Sequence, residues 1–366
     1  MHILHVVGAR PNFMKAAPVV RALSAGSGIR QTLIHTGQHY DAAMSQVFFD
    51  ELEMPHPDVN LGVGSGTHAV QTARIMIAIE PILLERKPDL VLVYGDVNST
   101  IAAALVCSKL GIKVGHVEAG LRSGDRSMPE EVNRLLTDQL SDFLFTPSSD
   151  GDENLRREGI AGKKIHLVGN VMIDTLVRLL PLAERRYPAN ILLPYILVTL
   201  HRPSNVDDLP WLEELLAALV DLSSQAQIIF PVHPRTRQRM QELSSSKISR
   251  DRLRLMEPLP YLEFLGLQQR AAVVITDSGG IQEETTFLGV PCLTVRDNTE
   301  RPITIEQGTN QLVGRSIERL RTAADAILRA GSVSDDGPRK RTTPPLWDGH
   351  AAERIAQIIV RASALT

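Results

Sequence analysis

Three acids in this 366-residue chain stand where an α/β protein does its chemistry, just past short apolar runs. Asp96 follows Leu90–Tyr94, Glu118 follows Lys113–Val117, and Glu130 comes directly after Pro129 at the opening of a helical pattern. Each has a plain structural explanation when taken alone. Asp96 suits a helix cap, Glu118 suits an ion pair with Arg122, and acids after a proline are ordinary at a positive helix start. Together they read as an acid/base cluster, because neighbouring carboxylates raise one another's pKa toward the range where protons move at neutral pH.

The cations and small residues read as an anion site. Gly8-Ala9-Arg10-Pro11-Asn12-Phe13-Met14-Lys15 follows the first apolar run, and Arg10 and Lys15 bracket a helix start whose N–H groups favour an anion; two solvated cations fit equally well. Later, His201 and Arg202 end one strand pattern and His233 ends the next. The run Thr276-Asp277-Ser278-Gly279-Gly280-Ile281-Gln282-Glu283-Glu284 passes through small residues into a helix. Ser278, Gly279 and Gly280 form a backbone cradle for a phosphate. Glu284 lies one turn further along, within reach of vicinal ribose hydroxyls, unless it is a surface glutamate. Arg296 and Arg301 add charge at the same edge. A nucleoside-diphosphate compound satisfies both the carboxylates of one half and the cradle of the other.

Other classes are excluded by what is missing. There is no G-x-G-x-x-G; the nearest approach, Gly62-Val63-Gly64-Ser65-Gly66, has the wrong spacing. P-loop and H-E-x-x-H motifs are absent, and the two cysteines, Cys107 and Cys292, are far apart. No cofactor and no metal are therefore expected. A net charge of −3 provides no field for nucleic acid or an anionic membrane. The N-terminus lacks a basic start and long apolar core, and no stretch nears the roughly 20 apolar residues of a membrane span, so a cytoplasmic location is expected.

The elements that must position these residues alternate throughout as short apolar runs and longer helical patterns, the mark of parallel βαβ units. Strands are read at Ile3–Val7, Thr32–His35, Leu90–Tyr94, Lys113–Val117, Phe143–Phe145 and Ile165–Val168, and again at Ile196–Leu200, Gln227–Val232, Arg252–Leu255, Val273–Thr276 and Cys292–Val295. The expectation is an α/β protein of two Rossmann-like, doubly wound lobes with a cleft between them. Residues 1–177 form the first lobe, 178–194 (with Pro181, Pro188 and Pro194) a linker, 195–345 the second lobe, and 346–366 a closing helix with Ile355, Ile358, Ile359 and Ala362 on one face.

These motifs resemble those of the non-hydrolysing UDP-N-acetylglucosamine 2-epimerases along essentially the whole chain. His116–Arg122, Pro129–Arg134, Gly169-Asn170, Thr199–Arg202, Thr276–Glu284 and Thr299-Glu300-Arg301-Pro302 recur in order, with Gly8–Lys15 and Thr36-Gly37-Gln38-His39 before them. The resemblance implies a two-lobed glycosyltransferase-B fold whose last helix returns to the first lobe. It implies a homodimeric epimerase interconverting UDP-GlcNAc and UDP-ManNAc, within polysaccharide biosynthesis. On the matching motifs, Asp96, Glu118 and Glu130 are the acid/base groups. Arg10, Lys15, His201, Ser278, Gly279, Gly280, Glu284 and Arg301 hold UDP or assist its departure, with Arg202 and His233 beside them.

Many bacterial members bind a second UDP-GlcNAc as activator, which here falls to Gln38, His39 and Gln71; Val70 stands where those members carry an arginine. Other departures are Asn12 for the usual glutamate, Pro203 after His201-Arg202, Ile303 after Pro302, and an Arg122–Glu130 loop about two residues short. They leave room for another UDP-2-acetamido sugar, such as a 2,3-diacetamido uronic acid. A glycosyltransferase of the same fold is the alternative class.

Overall fold

A computed structural model describes residues 1–26, 28–38, 52–188, 190–243, 253–331 and 343–364. The chain divides into two compact units, Met1–Val177 with Pro345–Thr366, and Arg178–Pro344.

The first unit is built on a seven-stranded sheet: β1 (His2–Val7), β2 (Arg30–His35), β3 (Val59–Asn60), β4 (Leu90–Tyr94), β5 (Lys113–Val117), β6 (Phe143–Thr146) and β7 (Ile165–Leu167), in the order β3-β2-β1-β4-β5-β6-β7. Every pair is parallel. β1 and β4 are buried along their whole length, as strands covered on both faces must be. The covering helices include α1 (Arg10–Ser24), α2 (His68–Arg86), α3 (Asn98–Leu110), α4 (Pro129–Leu140) and α5 (Ser149–Arg157). Leu4, Val6, Val91 and Val93 of the sheet pack with Ile79 and Leu83 of α2 and Val106 and Cys107 of α3.

Helix α6 (Val171–Arg185) follows. The segment read as a linker, 178–194, is therefore helical through Arg185, with Pro181 inside the helix. Proline removes one backbone hydrogen bond, but the buried face of Ile173, Leu176, Leu179 and Ala183 outweighs that loss.

The second unit carries β8 (Tyr195–Thr199), β9 (Gln227–Pro231), β10 (Leu253–Met256), β11 (Val273–Thr276), β12 (Cys292–Thr294) and β13 (Asn310–Leu312), ordered β10-β9-β8-β11-β12-β13 and again all parallel. Its helices among the described residues include α7 (Pro203–Val206), α8 (Leu209–Leu222), α9 (Pro234–Glu242), α10 (Tyr261–Arg270), α11 (Gly279–Leu288), α12 (Ile303–Glu306) and α13 (Ile317–Arg329). Ile196, Val198, Phe230 and Ile275 meet Leu212, Leu215 and Leu219 of α8 in its core. Strands β3 and β13 have two and three residues, too few to leave an alternating pattern in the sequence.

The last helix, α14 (Ala351–Ser363), belongs to the first unit and packs beside α1. Asp174 of α6 accepts from Ala351 N (3.1 Å) and Ala352 N (2.7 Å) and so caps it. Trp347 donates to Pro147 O at 2.9 Å. Gly169 has φ +90°, and a Cβ there would fall 2.1 Å from Leu346 O. The Gly169-Asn170 motif thus makes room for the returning chain. Among the described residues no helix is long and apolar enough to cross a membrane.

Both sheets have a point where strand order reverses, between β1 and β4 in the first and between β8 and β11 in the second. The loops at the C-terminal ends of those strands splay apart, leaving a crevice for a ligand. These are the loops bearing Gly8–Lys15 and Asp96, and the loops bearing His201-Arg202 and Asp277–Gly280.

Candidate active site

In the first unit the centre is the turn after β5. Glu118 has φ +73°, a left-handed conformation that costs a non-glycine residue about 1–2 kcal/mol. The turn is over-determined around it. The N–H groups of Glu118 and Ala119 both donate to Phe145 O, at 3.1 and 3.0 Å. Two residues on, Gly120 (φ +82°) runs so close to α5 that a Cβ would lie 2.5 Å from Gly151 O. The Glu118 carboxylate meets Lys15 Nζ at 2.7 Å with both side chains buried. The pairing with Arg122 does not occur. Arg122 instead bridges Asp138 (2.7 Å) and Glu158 (2.6 Å). Lys15, expected to grip UDP, is the counter-ion of Glu118. Its Nζ also lies against the β4 turn, 2.7 Å from where a Cβ on Gly95 would stand.

Asp96, next along, pairs with Arg134 of α4. Arg134 also binds Glu131, at 2.7 Å. Asp96 and Glu118 thus each engage a cation. Of the two glutamates opening α4, Glu131 is the buried one, and it accepts from Ser123 N (3.0 Å) and Gly124 N (2.9 Å). Burial pushes its carboxyl up, but those N–H donors and Arg134 outweigh it and hold it below the usual range. Glu131 thus anchors the loop, while no ion pair or hydrogen bond among the described residues engages half-buried Glu130.

His116 was given no role in the sequence beyond opening a motif. Its Nδ1 lies 2.6 Å from Asp138 and its Nε2 2.8 Å from Gly95 O, so it ties the Asp96 turn to β5. The available signal was its place two residues before Glu118, in the last residues of a buried strand. Asn12, the departure near the start, has a local reason. Its side chain accepts from Gly8 N and Ala9 N (3.1 Å each) and donates to Tyr94 O at 2.8 Å, which a carboxylate cannot do. Arg10 opens α1 and is exposed.

Gln38 and Gln71 are buried and committed to the protein. Gln71 Nε2 donates to Gln38 O (3.1 Å) and Gly64 O (2.9 Å) while its oxygen accepts from Asn98 (2.8 Å); Gln38 Oε1 accepts from Ser99 N and Oγ. His39 lies outside the described residues.

In the second unit Asp277, fully buried, organises the edge. Its carboxylate accepts from His201 N (3.0 Å), Arg202 N (2.9 Å) and Asn205 Nδ2 (3.1 Å), and stands 3.0 Å from His201 Nδ1. Arg202 Nε donates to Asp277 O at 3.1 Å. The rings of His201 and His233 are 5.8 Å apart. His233 caps α9, accepting from Arg235 N at 3.3 Å through Nδ1.

The Ser278–Gly280 turn opens α11, whose first N–H groups lack intrahelical partners. A Cβ on Gly279 would come within 2.5 Å of Arg301 Nη1 and 2.6 Å of Glu300 Oε1, whereas a Cβ on Gly280 meets nothing. Arg301 is held by Glu283 (2.8 Å) and Glu300 (2.6 Å). It forms the wall behind Gly279. Glu300 also gathers Arg296 (2.9 Å) and Arg202 (3.8 Å). Burial raises its carboxyl, but Arg301 and Arg296 outweigh that and keep it ionised far below the ordinary range. Glu284 is buried and accepts from Tyr261 OH at 2.9 Å, so it is no surface glutamate.

The chain was compared with known proteins. The family model described as UDP-N-acetylglucosamine 2-epimerase matches residues 21–360. A Methanocaldococcus jannaschii protein named UDP-N-acetylglucosamine 2-epimerase is 43% identical over 370 residues, covering 98% of this chain and 99% of that one. A Pseudomonas aeruginosa protein named UDP-2,3-diacetamido-2,3-dideoxy-D-glucuronate 2-epimerase is 40% identical over 364 residues, covering 99% of this chain and 100% of that one. A crystal structure of the M. jannaschii enzyme in complex with UDP-GlcNAc and UDP superposes with a TM-score of 0.86 at 42% identity, over 99% of this chain and 100% of that one. With both sheets, their reversal points and the motif residues accounted for, the chain belongs to the UDP-N-acetylglucosamine 2-epimerase family, a family of isomerases.

Proposed function

We propose that this chain interconverts UDP-GlcNAc and UDP-ManNAc by eliminating UDP and adding it back. The C2–H bond of a sugar nucleotide has no adjacent carbonyl to acidify it. Elimination solves this without a redox cofactor. The C1–O bond breaks with its electron pair leaving on UDP, a base takes the C2 proton, and a 2-acetamidoglucal forms. A proton then returns to the opposite face of C2 and UDP re-attacks C1. Two ring faces need acid/base groups on two sides, which Asp96, Glu118 and Glu130 supply. The departing diphosphate needs fixed donors, and losing one good donor typically costs about 2–4 kcal/mol. The Ser278–Gly280 turn, His201, His233 and Arg202 provide them, with Glu284 on the ribose. The observation that carries this reading is the strained, buried Glu118 held by Lys15 in a family whose relatives are named for this reaction.

The relative from P. aeruginosa favours a second substrate, a UDP-2,3-diacetamido uronic acid, on the same machinery. Incubation with each UDP-sugar in D2O, followed by proton NMR, tests both. Deuterium at C2 with intact C2-epimer identifies the substrate. Release of free sugar indicates a hydrolase, and no exchange with either compound sinks the proposal.

The protein works as a cytoplasmic homodimer in this reading. Support for a second copy comes from α2, where Val70, Ile77 and Leu84 are exposed at seven-residue intervals, and from exposed Val132 and Leu136 on α4. The two unpaired, buried thiols Cys107 and Cys292 accord with a reducing compartment.

A further inference from the structure

We propose that Asp277 is the positioning residue that makes His201 a proton carrier at the diphosphate end of the substrate, by keeping the ring proton on Nδ1 and reserving Nε2 for exchange. The inference rests on the epimerase reading, but its first observable does not.

Three donors whose hydrogens cannot move away fix the Asp277 carboxylate: His201 N, Arg202 N and Asn205 Nδ2. Asn205 is itself fully buried and anchored to Val295 O at 2.8 Å. The carboxylate has no room to turn, and its remaining contact is His201 Nδ1 at 3.0 Å. Burial pushes the Asp277 carboxyl up, yet the bond to His201 and the Arg202 N–H outweigh it and hold it below the usual carboxylate range. An ionised carboxylate only accepts, so the nitrogen facing it carries a hydrogen. Among the described residues Nε2 has no partner, and the ring is 41% exposed.

The neighbouring imidazole is set the other way round. His233 Nδ1 accepts the Arg235 N–H at the start of α9, so its hydrogen sits on Nε2. Burial, and then the nearby His201, lower its pKa and keep it neutral. Of the adjacent pair, His233 is a fixed donor and His201 alone both gives and takes at Nε2. Among the described residues, Asp277 and His233 are the groups that face the ring.

The step balances as follows. The ring enters the step as an imidazolium, its Nδ1–H on Asp277 and a second proton taken from solvent on the exposed Nε2. When the C1–O bond breaks, its electrons go to the diphosphate oxygen, and the proton on His201 Nε2 passes to that oxygen. A neutral ring remains, still donating from Nδ1 to Asp277. On the return path the oxygen gives the proton back to Nε2 as it forms the new C1–O bond.

Replacing the carboxylate by an amide inverts the arrangement. In Asp277→Asn the side-chain oxygen stays with the backbone N–H groups and the NH2 faces His201 Nδ1, which must now accept, so the ring proton moves to Nε2. The test uses the full chain labelled with 15N-histidine, with the His201 signals assigned by their loss in His201→Asn. With the pH raised until the ring is neutral, we expect the Nδ1–H tautomer in the unsubstituted protein and Nε2–H in Asp277→Asn. C2 exchange should fall at least 100-fold in Asp277→Asn with the UDP Kd within tenfold. The double variant should be no slower than His201→Asn alone. An Nε2–H tautomer in the unsubstituted protein overturns the inference even if the variant does not fold. So do identical tautomers in both forms, or losses that multiply in the double variant. Absence of C2 exchange in the unsubstituted protein instead overturns the epimerase reading, and the tautomers still decide what Asp277 does.

Discussion

At the scale of single residues, each site acid carries a different energetic burden, and that separates their variants. Glu118 is buried against Lys15, so Glu118→Gln leaves an unmatched buried cation; breaking such a pair typically costs about 3–5 kcal/mol. Glu130 is engaged by nothing among the described residues. We expect Asp96→Asn, Glu118→Gln and Glu130→Gln to retain UDP binding by calorimetry and to lose C2 exchange by at least 100-fold. Melting should fall by several degrees in Glu118→Gln and stay at the parent value in Glu130→Gln. Parental turnover in all three would remove these carboxylates from the chemistry.

Among the elements, the turn into α11 makes the sharpest demand. Gly279 sits against the Arg301–Glu300 pair, while Gly280 faces open space. The arginine cannot retreat freely, because Glu283 and Glu300 hold it. Gly279→Ala should therefore weaken UDP binding more than tenfold and lower the melting temperature. Gly280→Ala should melt like the parent, with any loss confined to UDP affinity. Equal melting of the two variants would show that the wall behind Gly279 yields.

For the whole molecule, pH tests the first unit's interior. His5 is fully buried between Tyr94 OH (2.7 Å) and Gln31 Oε1 (2.9 Å), and burial lowers it from 6.5 to about 4. The folded protein keeps this ring neutral while the unfolded chain protonates it between those values. The stability it contributes is thus complete above 6.5 and is lost as pH falls through the window, by about 3 kcal/mol at its lower end. Burial raises Asp174 to about 6, which gives the opposite slope over nearly the same range. Comparison with a variant isolates His5. The advantage of the parent over His5→Gln in denaturant unfolding should shrink from pH 6.5 to 4, and a constant difference would refute the assignment. Assembly is tested on α2: Ile77, 74% exposed, should tolerate Ile77→Glu as a folded chain, while light scattering shows the mass halved.

The strand and helix periodicities, the two parallel units and the placing of the candidate acids and cations in βα loops were legible in the chain itself, because buried parallel strands are written as uninterrupted apolar runs and glycine turns have few alternatives. The motifs identified the family for the same reason, each being a local segment. Partnerships were not legible, since they join loops far apart in sequence. Only the fold paired Lys15 with Glu118, sent Arg122 to Asp138 and Glu158, set Arg301 behind Gly279, and made Asp277 the support of His201. Local sequence specifies which groups reach a sheet edge; desolvation and geometry in the packed structure decide which charge each of them meets there.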